Sequence, residues 1–460
     1  MRYLSSLSLL AILAAAPAAQ AQTAINLNAL QGLAPFATLG NSAAGKAVLA
    51  GNYSVTGAIQ NGTSNQPALQ PFADQQKQAL HDAFITFGNA NEFADGLGTK
   101  LGAAYTALAT VTSSDDGKTV KYGNVSPAVG NLILYSATLT AADSNAGKYF
   151  FANGTSKTGK GEPVPANAAA LAILSAEHGD TDVLGKAYGL PGGSPGADPY
   201  GDSRPFQTEK TVAKFTDPDF FGQPSGNQAY LTGPVQDLVK SPSFPSGHTT
   251  YDYTESTLIA IMVPARFTQE VTRGAEYGNS RIVLGAHYAV DIIGGRTLAY
   301  YDLAQLLSEN PTYLNQKEGK AKPIANYAVA LKAARADLVK ALKASTGETI
   351  AAAAAQDTSR FSNPAVDEAF YESTQTYGLP VVYQAQAAQP ENIGTVAPEA
   401  GYLLTAAFPY LTLKQADHIL TVTEGPGGGF LDNGSHFGVY SRIDLYKAGL
   451  MAESLAPKKA

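Results

Sequence analysis

Apolar residues along this chain recur mostly at helical spacing and seldom in strict alternation. From Glu92 onward, Phe93, Leu97, Leu101, Tyr105 and Leu108 return about once per turn and predict a helix. A second helix is predicted over 249–262, after Pro245-Ser246-Gly247-His248 and ahead of Pro264, and a third over about 280–307. Beyond Pro311, Ile324, Tyr327, Leu331, Leu338 and Leu342 form an apolar stripe of helical period, with Lys and Arg on the other side. Between these segments, 112–117 is a polar break and 191–201 is a Pro/Gly-rich loop. Residues 22–70 are rich in Asn, Gly, Ala and Ser with little periodicity and predict a loosely structured arm. With sparse strand signals and no internal repeat, the expected fold class is all-α. The expected organisation is a signal peptide at 1–21, an extended N-terminal arm at 22–90 and a helical bundle at 91–310. A mostly helical C-terminal extension at 311–460, whose role cannot be read, completes it.

The N-terminus changes this picture. Arg2, the apolar run 7–16 and Ala19-Gln20-Ala21 have the order of a cleavable export signal, with the mature chain starting near Gln22. No later segment is long and apolar enough to cross a bilayer, so after cleavage the chain is expected in the periplasm or secreted, with no integral membrane segment. Cysteine is absent, which excludes disulfides, thiol catalysis and cysteine-ligated metal. A net charge of −7 over 460 residues argues against nucleic acid as a partner. A homo-oligomer is compatible with the sequence.

Three segments carry chemistry: Arg204-Pro205-Phe206, Pro245-Ser246-Gly247-His248, and Ser280-Arg281 followed by His287 and Asp291. On one helix, His287 and Asp291 would share a face, letting the carboxylate fix the imidazole tautomer and leave the other nitrogen as a nucleophile. Gly247 and His248 at a helix start would offer free N–H groups to an anion, with Ser246 adding a hydroxyl and His248 a proton. Arg204 and Arg281 would neutralise charge on phosphoryl oxygens. Each segment alone has an ordinary structural explanation, such as helix capping by Ser246; their order and spacing together do not.

RPF, PSGH and SRIVLGAHYAVD resemble the three motifs of the type 2 phosphatidic acid phosphatase and vanadium haloperoxidase superfamily. The stretch RGAEYGNSRIVLGAHYAVDIIGGR is most similar to class A bacterial non-specific acid phosphatases. The likeness covers roughly 180–305. It implies an acid phosphatase that hydrolyses small phosphorylated substrates without a metal or other cofactor. His287 would be the nucleophile of a phosphohistidine intermediate, Asp291 its orienting partner and His248 the acid and base. Arg204, Ser246, Gly247 and Arg281 would hold the phosphate. The family's lysine, seven positions before its Arg-Pro, is replaced by Ala197, so Lys186 is the expected substitute across a loop insertion.

Two rival readings use the same pocket. One is a haloperoxidase that binds vanadate at His287; the other is a non-catalytic phosphate-binding scaffold protein. The P-loop-like spacing at 154–160 is followed by Gly161 where Ser or Thr is needed, and Ser246 lacks the G-x-S-x-G elbow. His81, His178, His418 and His436 show no metal-ligand spacing.

Overall fold

The computed structural model describes residues 24–457 apart from 87, 115–119, 153–171, 174, 177, 199–200, 229–237 and 318. The candidate export signal and the P-loop-like segment lie outside the described residues. The chain is mainly helical: α1 (Ala24–Leu33), α2 (Ala43–Gln60), α3 (Phe72–His81), α4 (Thr99–Leu108), α5 (Pro127–Phe151), α6 (Gly247–Met262), α7 (Phe267–Val283), α8 (Ala289–Leu307), α9 (Tyr327–Thr346), α10 (Pro364–Thr376), α11 (Leu413–Val422) and α12 (Leu445–Ser454), with shorter turns between them. Among the described residues, β structure is confined to two antiparallel pairs. Val111–Ser113 pairs with Val120–Tyr122, and Thr216–Pro218 with Pro224–Gly226.

At the centre is α6, every residue of which is buried, lying against α5, α7 and α8. Its sequence is polar for such a place, and three of its hydroxyls are satisfied within the helix. Thr250 donates to the Gly247 carbonyl at 2.8 Å, Thr254 to Thr250 at 2.6 Å and Ser256 to Asp252 at 2.7 Å. Ser246 caps the helix by accepting the Thr249 N–H at 3.1 Å.

Three segments differ from the sequence-based expectation. Residues 24–60, expected to be loosely structured, form α1, a 3-10 segment and α2, and Leu30, Leu33, Phe36 and Val48 join the main core. The large apolar residues that pack are few and separated by Ala, Gly, Ser and Asn, which hides the helical period in the sequence. The helix expected from Glu92 is a 3-10 segment, Asn91–Leu97, that turns at Gly98 into α4. The helix expected over 280–307 is two helices, α7 and α8. The break falls at Gly285, whose φ of 76° is left-handed and suited to glycine, and it is closed by Ala286 N–H on the Arg281 carbonyl at 3.0 Å.

The C-terminal residues are bound into the same core. Arg296 of α8, 1% exposed, donates to the carbonyls of Thr374, Gln375 and Ser441 at 2.9–3.1 Å. Phe430 meets Phe36 and Phe244 edge-on. One hydrophobic cluster runs from α1 to α12.

Candidate active site

The break between α7 and α8 sets the central pair. His287 lies in the connecting loop and Asp291 is the third residue of α8, so they meet across a helix start and not along one helix face. His287 Nδ1 is 3.0 Å from Asp291 Oδ2. The same oxygen accepts the Tyr288 N–H at 2.8 Å and a short hydrogen bond from the Ser243 hydroxyl. A carboxylate at this position also faces the positive end of α8.

Arg204 holds the other side of the imidazole. It is fully buried just ahead of the short helix Pro205–Thr208, and its Nη1 is 2.9 Å from His287 Nε2. Guanidinium only donates, so Nε2 must be the acceptor, and the proton of the neutral ring sits on Nδ1 facing Asp291. The rest of the guanidinium is anchored on main-chain carbonyls: Nε on Ser241 at 2.7 Å, Nη1 on Ala286 at 3.0 Å and Nη2 on Pro242 at 3.0 Å. Asp182 fixes the approach to Arg204, accepting the N–H groups of Gly192 and Asp202 at 2.8 Å each.

The second histidine, His248, is in the first turn of α6, with its ring centroid 5.9 Å from that of His287. Ser246 Oγ accepts from both the N–H and the hydroxyl of Thr249, which leaves its own proton to donate elsewhere. Arg281 is buried beneath the face of Tyr277, 4.4 Å from the ring centroid, and donates from Nη2 to the Asp82 carbonyl. Its Nε is buried without a hydrogen-bond partner. The Asp82 carboxylate is itself locked, on Arg273 Nη2 at 2.5 Å and the Ser280 hydroxyl at 2.7 Å.

Electrostatically the cluster sets Arg204, Arg281 and Lys148 around the two imidazoles, with Asp291 the carboxylate among them. Burial, then Arg204, Lys148, His248 and Arg281, push the His287 pKa well down; burial, then Arg281, Lys148 and Arg204, do the same to His248. Burial pushes Asp291 up to about 6 against the hydrogen bonds of Ser243 and Tyr288 and the charges of Arg204 and Lys148. Both imidazoles are therefore held neutral in the free protein, among cations that favour an arriving anion.

Of the residues expected from sequence, Arg204, Ser246, Gly247, His248, Arg281, His287 and Asp291 converge. Lys186 does not. It sits on the short helix Val183–Ala187, half exposed, paired with Asp180 at 2.6 Å and lining an open groove with Lys46 and Tyr53. The surface ion pair leaves Lys186 no part in the buried cluster. Sequence reading missed Ser243, two residues before the PSGH run, and Lys148 on α5, far from any motif. Among the described residues, no group of three or more His, Cys, Asp or Glu could hold a metal ion.

Residues 197–306 match the family model of the PAP2 superfamily. The chain is 40% identical over 73 residues to a non-specific acid phosphatase of Salmonella typhi, covering 15% of this chain and 28% of that protein. It is 38% identical over 69 residues to an acid phosphatase of Zymomonas mobilis, covering 15% and 26%. It is 34% identical over 85 residues to a non-specific acid phosphatase of Providencia stuartii, covering 18% and 34%. The matches thus span about a quarter to a third of these curated relatives. Two histidines, two arginines and a carboxylate converge inside residues 197–306, the segment that matches the PAP2 superfamily model.

Proposed function

We propose that this chain is an exported acid phosphatase that hydrolyses phosphomonoesters through a phosphohistidine on His287. The observation that carries this reading is the His287 ring held between Asp291 at Nδ1 and Arg204 at Nε2. That arrangement presents a neutral imidazole whose Nε2 lone pair accepts from a guanidinium, and a phosphoryl oxygen binding that guanidinium would draw it away and release the lone pair for attack. The acid phosphatases matched over this segment support the choice of reaction.

In the first step His287 Nε2 attacks phosphorus. The N–P bond forms as the P–O ester bond breaks, and the leaving oxygen takes a proton from His248. In the second step water attacks the phosphohistidine and gives a proton to His248. The N–P bond then breaks and inorganic phosphate departs. Arg204, Arg281, the Ser246 hydroxyl and the Gly247 N–H hold the oxygens on which charge is spread. His248 is held neutral by burial and three cations in the free protein. A phosphate dianion between those cations reverses the local field and raises its pKa, so the substrate itself charges the acid. The N-terminal pattern at 1–21 supports export, and no helix among the described residues is long and apolar enough to cross a membrane.

Hydrolysis of p-nitrophenyl phosphate by the purified protein and by His287→Ala, with and without EDTA across pH, tests the reading. Turnover that survives EDTA, is greatest below neutrality and disappears in the variant is expected. Undiminished turnover in His287→Ala would sink the phosphohistidine. An inert wild type that oxidises bromide with peroxide once vanadate is added would replace hydrolysis with the haloperoxidase reaction.

A further inference from the structure

Two side chains of α5 point at the candidate site from outside the segment that matches the family. Lys148, in the last turn of α5, is 5% exposed, and its Nζ donates to the Pro242 carbonyl at 3.1 Å. That carbonyl also takes Nη2 of Arg204 at 3.0 Å, so ammonium and guanidinium are at most about 6 Å apart across one oxygen. The point where a Cβ on Gly247 would project is 3.4 Å from Lys148 Cε, 3.8 Å from Nζ and 3.4 Å from Ser144 Oγ. Ser144 lies one turn before Lys148, is fully buried, and its hydroxyl has no hydrogen-bond partner.

Neither group is explained by the fold alone. A buried ammonium is costly: burial and then Arg204 push the Lys148 pKa well down, while the carboxylates of Asp291, Asp202 and Asp198 act to raise it. A buried hydroxyl without a partner is costly as well. Both face the first turn of α6, where the Gly247 N–H is unsatisfied within the helix, and Arg281 adds a buried Nε–H that is also unpartnered. Donors without acceptors on three elements describe a space shaped for an anion.

We propose that α5 completes the phosphate cradle, with Lys148 Nζ and Ser144 Oγ donating to an oxygen of the bound phosphate or transferring phosphoryl group above Gly247. The proposal rests on the phosphatase reading for the identity of the anion and not for the existence of the site. On this view the segment 197–306 does not build the site alone, and the cation absent from its own sequence comes from a helix about fifty residues earlier.

The test is orthophosphate binding to the full-length protein by calorimetry, with melting temperatures measured in its absence. Lys148→Met is expected to weaken phosphate about ten- to hundredfold, and Ser144→Ala by a smaller factor. Lys148→Arg should recover part of the loss. Without phosphate, Lys148→Met should melt no lower than wild type, because it removes a group whose charged form burial and Arg204 disfavour. Wild-type phosphate affinity in Lys148→Met overturns the proposal; so does a lowered melting temperature with unchanged affinity, the mark of a strut for Pro242. Should that variant not fold, a crystal structure of the wild type with orthophosphate decides. Nζ within hydrogen-bonding distance of a phosphate oxygen supports the assignment, and a phosphate bound elsewhere or not at all overturns it. Hydrolysis is read separately: Lys148-dependent binding without turnover removes the phosphatase reading alone, and normal turnover with wild-type binding in Lys148→Met removes this inference alone.

Discussion

At His287, tautomer and orientation come from two neighbours of opposite character. Arg204 can only donate and therefore claims the bare Nε2; Asp291 accepts the Nδ1 proton while pinned by Ser243 and the Tyr288 N–H. In the proposed reaction the ring becomes cationic on phosphorylation, and the Asp291 charge is what stabilises it. Asp291→Asn keeps the shape and loses the charge, so kcat for p-nitrophenyl phosphate should fall by about 10²–10⁴-fold with KM little altered. Steady-state kinetics check this; a change confined to KM would move Asp291 to substrate binding. Seven residues of this cluster were readable because their side chains are chemically distinctive and lie at fixed spacings in two short runs and Arg204-Pro205. Ser243, Ser144 and Lys148 were not readable, since an isolated serine or lysine has no local pattern to mark it.

At the scale of elements, the site depends on how closely α8 approaches the start of α6. Gly295 permits that approach: a Cβ there would lie 2.7 Å from the Ser246 carbonyl oxygen and 2.9 Å from Thr249 Cβ. The obstacle at Ser246 is backbone and cannot swing aside, so Gly295→Ala must push the two helices apart. A loss of about 1–3 kcal/mol in stability is expected from such overpacking. Because His248 and Asp291 ride on the two helices, turnover should drop at least about tenfold. Denaturant melts and kinetics on the same preparation test both, and unaltered turnover would show that the spacing is not critical. The connection between α7 and α8 carries a related lesson. The i, i+4 spacing of His287 and Asp291 suggested one helix, yet Gly285 breaks it, and the same two residues meet as loop and first turn.

Across the whole molecule, buried ionisable groups set the pH response. Burial raises Glu255 to about 8 and lifts Asp252, Glu270 and Asp302 well above ordinary carboxylates. In the unfolded chain these groups ionise near 4, so between that value and their folded pKa values the native state binds more protons and stability falls as pH rises. His248 and His287, held neutral, work the other way: the unfolded chain takes up protons below about 6.5, and stability falls as pH drops. Lys148, whose pKa burial pushes well down, acts with the two imidazoles, and the raised carboxyls outnumber these three and decide the sign. Unfolding free energy should be higher at pH 5.5 than at pH 8, falling by roughly 1.4 kcal/mol per proton per pH unit while each group lies between its two pKa values, and the melting temperature should fall with it. Scanning calorimetry at several pH values measures it; a protein more stable at pH 8 would show that those carboxyls are ionised and paired in the native state.

What the sequence determined by itself was the fold class, α6, the span of α8 and the seven residues that meet in the candidate site. Helical periodicity and short motifs are local properties, written within a turn or two of chain. Only the tertiary structure decided which groups share a space: that Lys186 stays on the surface with Asp180, that Asp82, just past α3, fixes Arg281, and that the segments around Thr374 and Ser441 are tied in through Arg296. These contacts join residues 78 to 199 positions apart or, for Lys186, are settled by exposure. Burial and desolvation depend on everything packed around a group, so no window of sequence contains them.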